Sequence, residues 1–203
     1  MLPMAGERPF DDPDWFFEPW WPGASTLAYI EDGRVRLQTE HLADPLEAFP
    51  ELGTIAAQFV DDGLIVEGAL LVLDDEGRPD AELLRSRLAG HAERRGVAAL
   101  VASDLLYASG RPQFDLPFDE RRRRLARVLT DGDRCVISRG LRGEGTTLAE
   151  AISSMGLGEI SARLLGAPYR PGARDDSWLR IPLVEEPVAP TRPLLYLLQR
   201  LPL

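Results

Sequence analysis

The 203-residue sequence predicts an α+β domain, and three observations point there. Apolar runs of strand length, at 64–73, 97–102 and 158–165, are bounded by turn residues. Segments with helical spacing, at 80–88, 118–129 and 146–155, alternate with them. Two further strands, 26–30 and 34–37, are joined by Glu31-Asp32-Gly33, which reads as a hairpin and makes that pair antiparallel. A chain of this length with 44% apolar residues can bury a sizeable core.

In chain order, residues 1–15 are rich in Pro and Asp and read as an extended strap. An aromatic, Pro-punctuated lead-in, Phe16-Phe17-Glu18-Pro19-Trp20-Trp21-Pro22-Gly23, runs into the hairpin. Residues 44–59 have helical spacing at Leu46, Phe49, Leu52, Ile55, Ala56 and Phe59, weakened or broken by Pro50 and Gly53. Asp61-Asp62-Gly63 turns into the strand 64–73, which puts Val66, Gly68, Leu70 and Val72 on one face. Glu67 is the one charge in that run, and a place facing a solvated cleft is expected for it.

The helix 80–88 has Asp80 near its start and Gly90 just past its end. The strand 97–102 leads into Asp104-Leu105-Leu106-Tyr107 and a Ser109-Gly110 turn. Arg121-Arg122-Arg123-Arg124 falls within the helix 118–129. Consecutive helical residues point around the cylinder, so these four cannot share one face, and a solvated surface is expected. Cys135 sits in a buried strand, 134–138, and reads as a structural thiol in a reducing compartment. Residues 140–145 carry three glycines but no lysine to complete a phosphate cradle, so they read as a loop. The helix 146–155 follows, with an apolar stripe of Leu148, Ile152 and Met155, then the strands 158–165 and 178–183.

Composition narrows the function. All 23 Lys+Arg residues are arginines; the sequence contains no lysine. The formal net charge is −10 and the sequence pI is near 4.8, so DNA binding is expected to be weak or absent, because gripping the backbone requires cations that displace condensed counterions. No metal-ligand spacing and no Ser-His-Asp arrangement emerges, and no apolar run reaches the ~18 residues of a membrane span. With no leader at its start, the chain reads as cytoplasmic.

Several motifs at compatible spacings resemble the ATP-dependent DNA ligases of the bacterial end-joining type over roughly residues 9–183. Glu18-Pro19-Trp20-Trp21-Pro22-Gly23-Ala24-Ser25 stands where that family has Glu-x-Lys-Trp-Asp-Gly-Tyr-Arg, whose lysine becomes covalently adenylated. Trp20 thus occupies the lysine slot, Pro22 that of the aspartate and Ser25 that of the arginine. Glu67-Gly68-Ala69 is similar to Asp-Gly-Glu, with Ala69 at the metal-side glutamate. Ser103-Asp104-Leu105-Leu106-Tyr107 resembles Phe-Asp-Leu-Leu-Tyr without the aromatic that flanks adenine. Gly158-Glu159-Ile160-Ser161-Ala162-Arg163 stands for Glu-Gly-Val-Val-Ala-Lys, and Trp178-Leu179-Arg180-Ile181-Pro182 for Trp-Leu-Lys-Val-Lys. Ala167-Pro168-Tyr169-Arg170-Pro171-Gly172 is close to Ser-Pro-Tyr-Arg-Pro-Gly.

The resemblance implies a fold of the DNA ligase and mRNA capping enzyme type, with twisted, mainly antiparallel sheets and flanking helices. It implies a degenerate adenylation domain at 1–184, followed by a Pro-rich spacer and a short apolar segment at 185–203, with no oligonucleotide-binding domain. No catalytic residue and no cofactor is expected. The vestigial nucleotide pocket comprises Trp20, Glu67, Ser103, Arg163 and Arg180. The expected role is a pseudo-ligase module for binding or scaffolding, with a protein partner met through residues 194–201 (Leu194 to Leu201). The alternatives are a sensor that binds ATP or another nucleotide non-covalently, with Trp20 stacking on the base, and a residual ligase or nucleotidyltransferase using His41 as its nitrogen nucleophile. In the pseudo-ligase reading the Trp20 indole plugs the vacated pocket and is mostly buried.

Overall fold

In a computed structural model, residues 1–40, 42, 44–90 and 95–183 are described. The expectations for His41 and for the spacer and apolar segment at 185–203 concern residues outside these. The described residues form an α+β fold of two sheets and three α-helices. The chain falls into two compact units. One comprises Met1–Trp20, Phe114–Glu120 and the residues from Ser138 onward; the other comprises Trp21–Gln113 and Arg121–Ile137.

The second unit is built on a six-stranded sheet of β3 (Ala24–Glu31), β4 (Arg34–Thr39), β5 (Leu64–Leu73), β6 (Val97–Ala108), β7 (Arg111–Pro112) and β8 (Cys135–Ile137). The order is β4-β3-β5-β6-β7, with β8 added parallel to β6. β3 and β4 make the expected hairpin, with Asp32 and Gly33 both at positive φ and Glu31 opposite Arg34, the geometry that matches the twist of the flanking strands. β5 and β6 pair antiparallel along their length, interrupted by two irregularities in register. One face of the sheet carries Ala28, Ile30, Leu37, Val66, Leu70, Leu100 and Cys135 into the core. Burial there pushes the Cys135 thiol well above its ordinary pKa, with the Asp131 charge adding to it, so the thiol stays protonated and acts as a small apolar filler.

Two expectations fail here for physical reasons. The segment 44–59 is not an α-helix but two 3₁₀ helices, Pro45–Glu47 and Pro50–Gln58, each opened by a proline whose fixed φ favours the tight first turn. The strand expected at 97–102 does not stop there and runs on to Ala108, because Asp104, Leu105 and Tyr107 remain paired with β5 across the irregularities in register. α1 (Ala81–Leu88) matches its expected bounds, with Asp80 accepting from the N–H groups of Glu82 and Leu83.

The first unit holds a five-stranded sheet of β1 (Leu2–Ala5), β2 (Trp15–Pro19), β9 (Leu141–Arg142), β10 (Glu159–Leu164) and β11 (Arg174–Pro182), in the order β1-β11-β10-β2-β9. Its pairings are antiparallel except β1 with β11. α3 (Gly145–Ser154) packs against β10 and β2, burying Leu148 and Ile152. At its N-terminus Glu144 makes no side-chain cap bond. Asp11, brought from the N-terminal strap, does so instead: its carboxylate accepts from the backbone N–H of Thr146 at 2.9 Å and from the Thr146 hydroxyl.

Those bonds, the backbone one first, hold the Asp11 carboxyl below the usual aspartate pKa. A folded pKa below the unfolded one means that the contribution is complete above roughly pH 4 and is lost as the pH falls through the folded value. The stability difference between the protein and Asp11→Asn is therefore expected to be constant above about pH 5 and to shrink as the pH falls below about 4 in urea melts. An unchanged difference would remove Asp11 as a titrating cap.

Candidate functional site

The antiparallel register of the first sheet assembles a polar and aromatic face. Ser161 of β10 lies opposite Glu18 of β2 on one side and Arg180 of β11 on the other. Arg163 lies opposite Phe16 and Trp178. Paired residues share a face and alternate residues return to it, so Phe16, Glu18, Glu159, Ser161, Arg163, Trp178 and Arg180 all belong to one side. The opposite side carries Phe17, Ile160, Ala162 and Ile181, all buried.

On the polar face the arginines are held by partners within the sheet. The Arg163 guanidinium lies 3.9 Å from the ring centre of Trp178 and 5.0 Å from that of Phe118, with Glu18 at 3.7 Å. Glu18, Ser161 and Arg163 are all buried. The Trp178 indole N–H donates to the Ser161 hydroxyl at 2.9 Å, which locks the ring that Arg163 stacks on. Arg180 makes a two-pronged pair with Glu159: Nε donates to Oε1 at 2.8 Å and Nη2 to Oε2 at 2.5 Å. The face of the same guanidinium lies 4.6 Å from the Trp20 ring centre, and Trp20 and Trp178 are 6.2 Å apart. The backbone N–H of Trp20 donates to the Glu159 carbonyl, continuing the β2–β10 pairing past Pro19. The result is a run of alternating rings and guanidiniums in which each charge has an internal carboxylate.

Trp20, Arg163 and Arg180 of the expected pocket are thus brought together. Glu67 and Ser103 belong to the second unit. They neighbour each other there, the Ser103 hydroxyl donating to the Glu67 carbonyl at 3.3 Å. Glu67 is buried at 7% exposure, which corrects the expectation of a solvated carboxylate; in register it sits between Leu27 and Asp104, inside the sheet rather than at an edge. Trp20 is half-buried, lying against Trp178 and under Arg180, and its neighbour Trp21, in the second unit, is buried.

The arginine run departs furthest. α2 (Phe118–Val128) buries Phe118, Arg121, Arg122, Leu125 and Val128, a stripe at helical spacing in which two arginines occupy inward positions. Arg121 forms a two-pronged pair with Asp104, Nε to Oδ1 at 2.8 Å and Nη2 to Oδ2 at 2.9 Å, both side chains being essentially inaccessible. Arg122 donates to the Ser103 carbonyl. The stripe Phe118, Leu125, Val128 was a signal in the sequence; Glu18, Glu159 and Trp178 stand in the matched motifs, but nothing there shows which residues they meet, because their partners lie across strands.

The matched metal-side positions, Ala69 and Gly158, offer no carboxylate, and the adjacent Glu159 is engaged by Arg180. No group of three or more His, Cys, Asp or Glu poised to hold a metal occurs among the described residues. This donor set does not fit a divalent cation.

No family model matches the chain. It is 33% identical over 171 residues to the multifunctional non-homologous end joining protein LigD of Pseudomonas aeruginosa, covering 83% of this chain and 20% of that protein. It is 34% identical over 173 residues to a probable DNA ligase of Streptomyces avermitilis, covering 78% of this chain and 33% of that protein. Among solved structures, a mycobacterial DNA ligase D complexed with ATP and MES superposes with a TM-score of 0.76 at 25% identity, over 89% of this chain and 58% of that one. The chain spans about a fifth of the length of the LigD proteins it matches. No helix among the described residues is long and apolar enough to cross a membrane.

Proposed function

From its relation to the adenylation domain of the ATP-dependent DNA ligases of end joining, we propose that this chain is a ligase-like domain that does not itself become adenylated, and serves as a binding or scaffold module in DNA repair. One observation carries the reading. The position after Glu18-Pro19, where the resembled motif has its nucleophile, is Trp20, and none of the 203 residues is a lysine. Adenylation on nitrogen requires an amine that can lose its proton, and a guanidinium, with a pKa above ~12, stays charged. The surrounding geometry agrees: Arg163 and Arg180, at the lysine positions of two further motifs, are engaged by Glu18 and Glu159 and by tryptophan rings.

Incubation with labelled ATP and Mg²⁺, followed by a denaturing gel, should leave the protein unlabelled. An acid-labile label would overturn the proposal and direct attention to His41. The proposed partner is a protein, such as an active repair ligase, reached through Leu194 to Leu201; co-elution with that ligase should be lost when residues 194–201 are deleted, and co-elution that survives the deletion would rule this segment out. DNA binding is proposed to be weak, given the net charge of −10. A titration of nicked duplex near physiological salt should not saturate at low micromolar protein, and tight binding with a steep salt slope would refute this.

A second reading, reversible binding of ATP or another nucleotide with no covalent step, is favoured by the half-buried state of Trp20, which leaves part of a stacking surface in solvent. Calorimetry with ATP in the absence of metal tests it: saturable binding without labelling supports a sensor, and no heat removes it.

A further inference from the structure

We propose that Glu159 is a built-in competitor for oxyanions at Arg180: its carboxylate occupies the guanidinium fork that an external phosphate would need, and so keeps this face closed to anionic ligands. The proposal rests on the non-adenylating reading above. A guanidinium offers planar pairs of N–H donors that match a carboxylate or a phosphate equally well. In Arg180 the Nε–Nη2 edge is filled by both oxygens of Glu159, at 2.8 and 2.5 Å, and the flat face is covered by Trp20. The site still lies within reach of solvent. The Arg180 and Glu159 side chains are 46% and 31% exposed, so an exchangeable anion, rather than a core clamp, holds the fork. The same sheet face adds the half-buried rings of Trp20 and Trp178. Glu159 also stands where the resembled motif has glycine, so the blocking carboxylate is borne by a position that need not carry any side chain.

The test is calorimetric titration of the whole chain with inorganic pyrophosphate, comparing the protein with Glu159→Gln and Glu159→Gly, and with Glu159→Gln/Arg180→Gln. Releasing a partly exposed two-pronged pair should tighten pyrophosphate binding by roughly two- to fivefold in both single variants. The double variant should return to the weak binding of the parent. Equal affinity in the parent and both single variants would overturn the proposal, as would tightening that persists without Arg180. Loss of folding in both single variants would overturn it too, since the pair would then be a structural clamp. The readout is independent of adenylation: a labelled protein that still shows this pattern refutes the non-adenylating reading and leaves Glu159 as the competitor, and the reverse result separates them in the other direction.

Discussion

Asp104→Ala is expected to destabilise the fold by about 3–5 kcal/mol, the range for removing one member of a buried ion pair. Asp104 is fully buried on β6 and accepts bonds from the Arg121 fork and from the N–H of Leu105 at 2.8 Å. Alanine removes the carboxylate that fills the fork of the Arg121 guanidinium, which is 2% exposed, and breaking a buried ion pair from one side costs far more than the pair contributes. Arg121→Lys should also be costly, because a point ammonium cannot reproduce the two-pronged geometry. Replacing both partners, as Asp104→Leu with Arg121→Met, should cost much less than the sum of the single changes, since no charge then stays buried. Urea melts of the two single variants and the double give the coupling directly. Singles costing under about 1 kcal/mol, or strictly additive costs, would show that the pair is solvated in solution.

Gly68→Ala should cost about 3 kcal/mol or more, through crowding rather than lost contacts. A Cβ at Gly68 would lie 2.4 Å from the carbonyl oxygen of Val101 and 3.0 Å from the Cα of Ala102, both backbone atoms of β6. Backbone in a central strand cannot swing aside as a side chain can, and β5 is held by β3 on its other edge, where Thr26 faces Gly68. Overpacking in a well-packed core costs roughly 1–3 kcal/mol, more when the obstacle cannot move. Thermal unfolding of Gly68→Ala beside Ala69→Gly, a control on the same strand, would separate this clash from the general cost of a changed strand residue. A Gly68→Ala protein as stable as the parent would mean that the two strands splay freely there.

The Glu67-Gly68-Ala69 segment therefore divides into a part whose reason is steric and a part whose chemistry has changed, and that division runs through the molecule. Local interactions were legible in the sequence. The run 64–73 became β5 with the same bounds because a ten-residue stretch that is apolar but for one charge has few other stable arrangements. The Asp32-Gly33 turn tolerates positive φ, and Asp80 reaches its own helix N-terminus within three residues. The motif resemblance supplied the family and with it the fold, which the relatives of end-joining ligases support.

What only the tertiary structure decided involves partners distant along the chain. Arg121 was read as solvated because a run of four charges has no periodicity of its own, yet Asp104, 17 residues away, makes its burial tolerable. Trp20 and Trp21 are chemically identical neighbours; only their surroundings leave one half-buried under Arg180 and the other in the core. Glu159 and Arg180, 21 residues apart, are joined by the register of β10 and β11. Period and propensity act over a few residues, so the sequence alone determined most of the elements and the resemblance to the end-joining ligases. The register of one strand against another is a property of the assembled sheet, so only the folded structure decided which charges meet.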